Sequence, residues 1–283
     1  MKFEDLSVII PTYNRAPLLE RAIASVLKQT VLPREIIIID DGSDDQTRNV
    51  VKRIEDSSDV NLSYHIQKNR GPASAKNRGI EMSSTSFLAF LDSDDHWHKR
   101  KIEIQFRELV KNNQCRISHT REKWLRRGEH LNQKKIHLPP GGNIFSSCLK
   151  LCCVGMSTVM LNRSIFEDYG LFDETLRCCE DYDFWLRVSV NEDFLLIDVP
   201  LTVKEGGRDD QVSVIYRVGM DKYRIYSLSK LISQGNLNPE QKLRARKMLI
   251  EKCEIYGRGC FKHGKSIEGE AVLELARKNR SIE

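Results

Sequence analysis

The stretch FLAFLDSDDHW, Phe87–Trp97, runs five apolar residues straight into the acidic sequence Asp92-Ser93-Asp94-Asp95. A short apolar run that stops at polar residues is the profile of a strand buried on both faces, so Ser86–Leu91 reads as a strand that ends in carboxylates. Along an extended chain residues i and i+2 point the same way, which turns Asp92 and Asp94 toward one crevice. Ser93 then turns away, and Asp95 has no more to do than cap the helix that follows. Two carboxylates on so short a backbone repel unless a cation lies near them. Magnesium and manganese suit the position, since they take one or two carboxylates and complete their shell with phosphate oxygens and water. The competing reading is a solvated acidic turn or a helix N-cap, with Asp94 or Asp95 as the cap.

What precedes this strand weighs against that competing reading. Leu6–Ile10 is an apolar run ending at Pro11, and Glu35–Ile39 is an isoleucine-rich run ending at Asp40-Asp41-Gly42-Ser43. Between them Leu18, Leu19, Ala22, Ile23, Val26 and Leu27 recur at helical spacing, so Pro17–Gln29 is expected to be an amphipathic helix. Val50, Val51 and Ile54 mark a second helix, Leu62–Ile66 a third strand, and Ala73–Met82 a helix after the loop Asn69-Arg70-Gly71-Pro72. Strands alternating with helices imply a parallel sheet with right-handed crossovers, and ligands gather at the carboxyl ends of its strands. That rule sets Pro11–Asn14, Asp40–Asp44 and Asp92–Asp95 along one crevice. In the second of these turns Gly42 allows a tight bend, and Ser43 or Asp44 is expected to cap the next helix. Capping explains only one of its three aspartates. A carboxylate there can accept the imino hydrogen of a uracil or thymine ring, with Tyr13 against the ring's face.

Beyond residue 100 the pattern loosens. Lys99–Asn112 is a charged helix, and Gly128–Gly142 is expected to be a mobile loop. Thr158–Leu161 is a short strand, Ser164 the N-cap of a helix, Glu180–Val190 a helix and Phe194–Ile197 a strand. From Tyr216 onward the chain reads as helical and basic. In Glu180-Asp181-Tyr182-Asp183-Phe184-Trp185-Leu186-Arg187, Phe184 and Trp185 belong to the core. Acidic residues at a helix start are favoured by the dipole, but three carboxylates exceed what a cap requires. A carboxylate is also the usual general base for a hydroxyl.

Composition narrows the class. A chain of 283 residues with 40% hydrophobic and 30% charged residues is that of a folded globular protein. Forty-five basic against 40 acidic residues give a net charge of +5, too weak to point to nucleic acid but compatible with anionic small molecules or an acidic membrane surface. No apolar run is long enough to span a bilayer, and Met1–Asp5 enters a strand without a signal peptide. The expected location is therefore the cytoplasm, with the eight cysteines reduced. Five of them (Cys148, Cys152, Cys153, Cys178 and Cys179) crowd together, but adjacent pairs do not match zinc-ligand spacing and are read as buried thiols.

Taken together, VIIPTYNR (Val8–Arg15), IIIIDDGSDDQT (Ile36–Thr47), NRGPASAKNRGI (Asn69–Ile80), FLAFLDSDDHW (Phe87–Trp97) and EDYDFWLRV (Glu180–Val188) resemble glycosyltransferase family 2, the inverting transferases of GT-A fold. The resemblance covers about residues 6 to 205. It implies a Rossmann-like, mainly parallel central sheet flanked by helices, with residues 1–210 as catalytic domain, 1–100 its nucleotide-sugar half and 101–210 its acceptor half. Residues 211–283 form a helical extension. It further implies that Asp41, supported by Asp40, binds the base of a nucleoside-diphosphate sugar, UDP being favoured. Pro11 and Tyr13 then line the nucleotide, Lys76 approaches it, and Asp92 and Asp94 contact ribose and a divalent Mn2+ or Mg2+. Asp181 is implied as general base, with Glu180 beside it in the acceptor pocket.

One place departs from the pattern. In KEGGRDDQVS (Lys204–Ser213) some bacterial members carry a histidine after the two glycines, where this chain has Arg208. Histidine ligates metal, whereas arginine does not but can clamp a diphosphate bidentately. The motif of processive synthases is missing, so the expected reaction is transfer of one sugar to a glycan or lipid-linked acceptor in cell-surface polysaccharide synthesis. A nucleotidyltransferase would need a glycine-rich loop after the first strand, and Pro11–Arg15 holds no glycine. A non-catalytic scaffold of a polysaccharide-assembly complex is the alternative from another class. Acceptor recognition is expected in Gly128–Gly142 and the C-terminal helices. The basic run Lys242, Arg244, Arg246 and Lys247 reads as a solvated helix face, with contact to anionic lipid as the alternative.

Overall fold

The computed structural model describes residues 2–56, 58, 60–234 and 236–280. The first half alternates strand and helix: β1 (Lys2–Thr12), α1 (Ala16–Leu27), β2 (Leu32–Asp40), α2 (Thr47–Glu55), β3 (Asn61–Ile66), α3 (Pro72–Met82), β4 (Phe87–Phe90), β5 (His96–Trp97) and α4 (Lys101–Lys111). The second half holds β6 (Ile117–Arg126), β7 (Glu129–Leu131), α5 (Phe145–Lys150), β8 (Met160–Asn162), α6 (Ser164–Tyr169), α7 (Glu180–Val188) and β9 (Phe194–Gly206). Four helices follow: α8 (Val212–Ile215), α9 (Met220–Gln234), α10 (Pro239–Lys262) and α11 (Ser266–Arg280).

All strands join one sheet in the order β3-β2-β1-β4-β8-β6-β9-β5, with β7 paired to β6. β1, β2, β3 and β4 run parallel, β8 is antiparallel to both β4 and β6, and β6 and β9 are again parallel. The sheet is thus parallel from β3 to β4 and mixed beyond β4. Its period of two shows in the core. Val8 and Ile10 pack with Ala89 and Leu91 on one face, while Ile9 packs with Leu88 and Phe90 on the other. Each fully buried aliphatic side chain contributes roughly 1.5–3 kcal/mol, so these rows alone hold β1 and β4 in the centre. Gly79 lets α3 lie directly on β1, since a Cβ there would collide with Ile9.

Several sequence expectations are corrected. Gly128–Gly142 is not a bare loop: β6, which the sequence reading missed, runs into a hairpin with β7, and Lys135–His137 forms a 3-10 turn. Ser164 is the first residue of α6 rather than its cap, and its amide donates to Asn162 Oδ1 at 2.9 Å. Neither Ser43 nor Asp44 serves α2; Asp45 accepts from the amide and hydroxyl of Thr47 and from the amide of Ala16. Asp95 does not cap α4, which begins six residues later with Arg100 in the cap position. β9 runs nine residues past Ile197, and α7 ends at Val188.

The helices after residue 211 have no separate core. Ile225, Leu228, Leu231, Ala245, Leu249 and Ala276 belong to the same cluster as Tyr182 and Trp185 of α7. The seam is also pinned by charge: Lys230 of α9 reaches Asp173 at 2.6 Å and Asp183 at 3.3 Å. Burial would raise the Asp173 carboxyl, but Lys230 and the two bonds from Thr175 outweigh it and bring its pKa to about 2. A carboxylate depressed on folding stabilises above its unfolded value near 3.8, and that contribution disappears as pH falls toward 2. Asp173→Asn is therefore expected to lower the urea midpoint at pH 7 and to narrow its difference from the parent protein between pH 4 and pH 2. A constant difference across that range would show that Lys230 contributes nothing through charge.

Candidate active site at the carboxyl ends of the strands

The three strand ends that the sequence marks do lie together. Asp41 N donates to Thr12 O at 2.9 Å, Asn14 N to Ser43 Oγ at 2.8 Å, and Asp44 N to Asn14 Oδ1 at 2.9 Å, so the first two turns are laced into one edge. Leu91 N donates to Ile9 O at 3.0 Å and brings the acidic run beside them. Tyr13 is 48% exposed on this edge, open to a planar partner.

Asp40 and Asp41 are buried and already engaged. Asp40 accepts from Ser43 N at 2.8 Å and from the Tyr64 hydroxyl at 2.5 Å. Asp41 accepts from Gln67 Nε2 at 2.8 Å, Arg70 N at 2.9 Å and Gly71 N at 2.8 Å, which folds the loop before α3 against the crevice. A carboxylate offers about four acceptor positions, so Asp41 retains one.

The acidic run is divided more sharply than its sequence implies. Asp95 is buried and takes the Ser157 hydroxyl at 2.7 Å, while Ser157 Oγ accepts from Asp92 N at 3.0 Å. Burial pushes the Asp95 carboxyl well above the usual range, and Lys204 and Ser157 do not offset it. Burial also raises Asp92, against the pull of Lys76. Asp94 moves the other way. Burial would raise it, but Arg15 at 3.1 Å and Arg208 at 2.5 Å hold it below the usual range. Asp210 bridges the same two guanidinium groups, at 3.2 Å to Arg15 and 3.1 Å to Arg208. The segment 207–211 is thereby folded over Asp94, turning at Gly207 with φ +97°.

On the opposite side, α7 begins after Cys179, whose φ of 65° turns the chain into the helix. Glu180 is buried and accepts from Lys76 Nζ at 2.7 Å. Burial opposes the Lys76 charge, but Glu180, Asp92 and Asp181 outweigh it and raise its pKa. Lys76 thus stands between the acidic run and α7. Asp181 is half-buried and accepts from the Cys152 thiol at 3.2 Å. Asp183 is structural, paired with Arg187 at 3.0 Å and with Lys230. The crowded cysteines are all free thiols, with Cys148 Sγ 3.4 Å from Cys153 Sγ.

Beside Cys152, whose thiol donates to Asp181, opens a cavity of about 500 Å3, bounded by β6, the β7 hairpin, the 151–158 loop and residues 204–214. Lys204 lines it, and its pKa is raised first by Glu122, then against burial by Asp95, Asp92 and Asp181. The sequence reading passed over Lys204, Arg15, Ser157 and Glu122. Nothing marked Ser157 or Glu122, since each acts through a partner far away in the chain.

The acidic run also passes a test of fit for a divalent cation. Arg15, Arg208 and Gln211 all address Asp94 Oδ2, which leaves Oδ1 facing no donor among the described residues. No group of three or more His, Cys, Asp or Glu side chains converges on one point among those residues. Any cation that Asp92 and Asp94 were to hold would have to take the rest of its shell from phosphate and water, as magnesium and manganese can.

Comparison with known proteins agrees with this architecture. The model of glycosyl transferase family 2 matches residues 7–170. An uncharacterized glycosyltransferase of Rickettsia conorii is 38% identical over 198 residues, covering 70% of this chain and 32% of that one. The UDP-Glc:alpha-D-GlcNAc-diphosphoundecaprenol beta-1,3-glucosyltransferase WfgD of Escherichia coli is 34% identical over 186 residues, 65% of this chain and 69% of WfgD. The chain spans 32%, 32% and 26% of the length of three Rickettsia relatives it matches, and 59% and 58% of two others. Among solved structures, S. aureus TarS 1-349 in complex with UDP-GlcNAc superimposes with a TM-score of 0.65 at 18% identity, covering 97% of this chain and 92% of that one. The mannosyltransferase PcManGT of Pyrobaculum calidifontis, in complex with GDP-Man and Mn2+, gives 0.68 at 17% identity, covering 97% and 75%. At such identities the two structures speak for the fold, and they bear out the GT-A architecture.

Proposed function

This chain belongs to glycosyl transferase family 2, and on that premise we propose that it moves one sugar, with inversion, from a nucleoside-diphosphate sugar to a hydroxyl of a glycan or lipid-linked acceptor. The observation that carries this reading is the division of one crevice into two charged halves. Arg15 and Arg208 bracket Asp94 on one side, and on the other Asp181 accepts from Cys152, which lines a cavity. UDP is favoured as the nucleotide because WfgD is named for UDP-Glc and TarS was solved with UDP-GlcNAc. Synthesis of a surface polysaccharide is favoured by relatives such as the putative teichuronic acid glycosyltransferase TuaG of Bacillus subtilis.

In this reading Asp41 takes the imino hydrogen of the base with its remaining acceptor position, Tyr13 covers the ring and Pro11 lines it. Asp92 and Asp94 hold ribose and a manganese or magnesium ion, which when bound supplies positive charge against the diphosphate. Arg208 and Arg15 shift from Asp94 toward the departing diphosphate, and Lys204 and Lys76 keep the neighbouring carboxylates from repelling it. Asp181 removes the proton from the acceptor hydroxyl as its oxygen bonds to the anomeric carbon and the bond to the diphosphate oxygen breaks. A single in-line displacement inverts the centre. Glu180 orients Lys76 between the two halves. Residues 1–100 then form the donor half, 101–210 the acceptor half and 211–283 a helical buttress. Among the described residues no helix is long and apolar enough to cross a membrane. A lipid-linked acceptor would bring the chain to the cytoplasmic face of a membrane, where the exposed Lys242, Arg244 and Lys247 are open to anionic lipid.

A thermal-shift screen of nucleotide sugars with and without manganese tests the reading. A ligand at a hundred times its Kd stabilises by about 2.7 kcal/mol, which for a domain of this size raises the midpoint by roughly 5 °C. UDP-sugars are expected to do so with manganese present, and to be hydrolysed slowly in the absence of acceptor. A chain that no nucleotide sugar stabilises or meets as substrate is not a transferase.

A further inference from the structure

Five of the free cysteines belong to, or pack against, the core cluster that holds α7, and two of them are in direct sulfur contact. Cys148 lies in α5 and Cys153 in the loop that follows, with Sγ 3.4 Å from Sγ. Disulfide sulfurs stand about 2.05 Å apart, so a movement of about 1.4 Å would join them. Among the described residues no group of three or more His, Cys, Asp or Glu side chains converges as metal ligands do, so the pair is not part of a metal site. The two thiols differ in access. Cys148 is buried, whereas Cys153 is half-buried and lines the 500 Å3 cavity. The hydrogen bond with Cys153, and burial after it, push the Cys148 thiol well above its ordinary value. Burial, with Asp181 next, does the same to Cys152. Both of these remain thiols, and a small reagent that enters the cavity meets Cys153 with Cys148 directly behind it.

We infer that Cys148 and Cys153 are a peroxide-sensitive disulfide site, entered through the cavity, whose closure draws Cys152 away from Asp181 and slows transfer. The bridge stands on the geometry alone, and its effect on transfer rests on the transferase reading. In the first step the Cys153 sulfur attacks one oxygen of a peroxide and the O–O bond breaks. The other oxygen leaves as water or an alcohol with the thiol proton, and Cys153 becomes a sulfenic acid. In the second step the Cys148 sulfur bonds to that sulfur, the S–O bond breaks, and the hydroxyl leaves as water with the Cys148 proton. Two thiols have given up two electrons, and the peroxide has taken them. The loop absorbs the movement at its near end, because its far end is pinned. Ser157 O accepts from Trp97 Nε1 at 2.8 Å and from Thr202 Oγ1 at 3.0 Å, and Ser157 Oγ donates to Asp95. The neighbour of Cys153, Cys152, is held at its side chain by two weak thiol bonds, to Asp181 at 3.2 Å and to Val154 O at 3.4 Å. Its displacement frees Asp181, and a reacting group misplaced by about 1 Å can cost about 100-fold in rate.

The chain carries a convenient cut for the test. Lys150 separates the two cysteines, so trypsin leaves residues 136–150 and 151–163 as two peptides that only such a bond can join. The full chain is reduced, freed of reductant, treated with hydrogen peroxide and digested without reductant. Mass spectrometry is expected to find the joined pair, and dithiothreitol to release it. Cys152→Ser should still give the pair, whereas Cys153→Ser and Cys148→Ala should not. Turnover of a nucleotide sugar by the oxidised protein is expected to fall about tenfold or more and to return with dithiothreitol. UDP affinity should stay within about twofold, and turnover by Cys153→Ser should no longer respond to peroxide. Peroxide that consumes the Cys153 thiol without joining the peptides, a pair that survives Cys153→Ser, or a pair formed with no fall in turnover would each overturn the inference. If no nucleotide sugar is turned over even by the reduced protein, the transferase reading falls, and the peptide masses still decide the bridge.

Discussion

Replacing Asp94 with alanine is expected to lower sugar transfer by at least about 10^2–10^3-fold, the cost of removing one group from a preorganised charge-stabilising site. The same substitution separates two roles that the structure joins in one carboxylate. Asp94 Oδ2 gathers Arg15, Arg208 and Gln211, and Oδ1 is the oxygen left to the proposed cation. Without the carboxylate the two guanidinium groups lose a shared counter-ion and keep only Asp210. They are then free to turn to a diphosphate, where paired guanidinium groups bind strongly. UDP is therefore expected to bind the Asp94→Ala protein at least as well as the parent when EDTA is present. Manganese should tighten UDP binding by the parent and leave the variant unchanged. Calorimetry of UDP binding with and without manganese reads both effects. A variant that still gained from manganese would place the metal elsewhere.

The first hundred residues were legible because their strands are apolar runs that stop at polar residues. Val8–Ile10, Ile36–Ile39 and Leu88–Leu91 lie in the core, and their ends lie on one edge. Such a pattern is local, and a parallel sheet buried on both faces displays it without reference to anything else. The next hundred residues hide their strands. β6 begins Ile117-Ser118-His119-Thr120, and the three polar residues are as buried as the isoleucine, so neither alternation nor an apolar run announces it. β9 continues through Pro200 to Gly206, and a proline with four charged or glycine residues reads as a strand ending rather than a strand. Lys204 was lost with that extension.

The site shows the same divide. Asp92, Asp94 and Asp181 stand out as carboxylates in suggestive places. What each meets is decided by partners that no window of sequence contains, such as Arg208 for Asp94, 114 residues away, or Glu180 for Lys76, 104 residues away. The reading of Asp95 as a cap failed for a related reason. Its partner, the Ser157 hydroxyl, comes from a 3-10 turn in the other half of the chain.

Replacing Asp181 with asparagine is expected to lower kcat by about 10^2–10^4-fold while the affinity for the donor is kept. Two adjacent carboxylates open α7, and the choice between them follows from what already holds each. Glu180 is committed to Lys76 in a buried pair, with side chains only 8% and 4% exposed. Withdrawing one partner of such a pair leaves a buried charge uncompensated, at a cost of about 3–5 kcal/mol. A base must be able to receive a proton without that penalty. Asp181 meets the condition, since it is half-buried and the side chain that donates to it is the neutral thiol of Cys152, a residue of the cavity lining. Burial, with Asp181 itself next, pushes the Cys152 thiol well above its ordinary value, so it remains a donor at neutral pH and does not compete for the acceptor's proton. Asparagine keeps the oxygen that Cys152 addresses and loses basicity, together with the bond that the other oxygen accepts from Tyr182 N at 2.7 Å. Asp181→Asn should therefore leave the urea midpoint near that of the parent while turnover falls. Glu180→Gln should lower the midpoint and loosen Lys76 as well. Single-turnover rates and urea unfolding on the two variants separate these outcomes. Normal turnover by Asp181→Asn, or equal loss of stability in both proteins, would assign the proton transfer to another group.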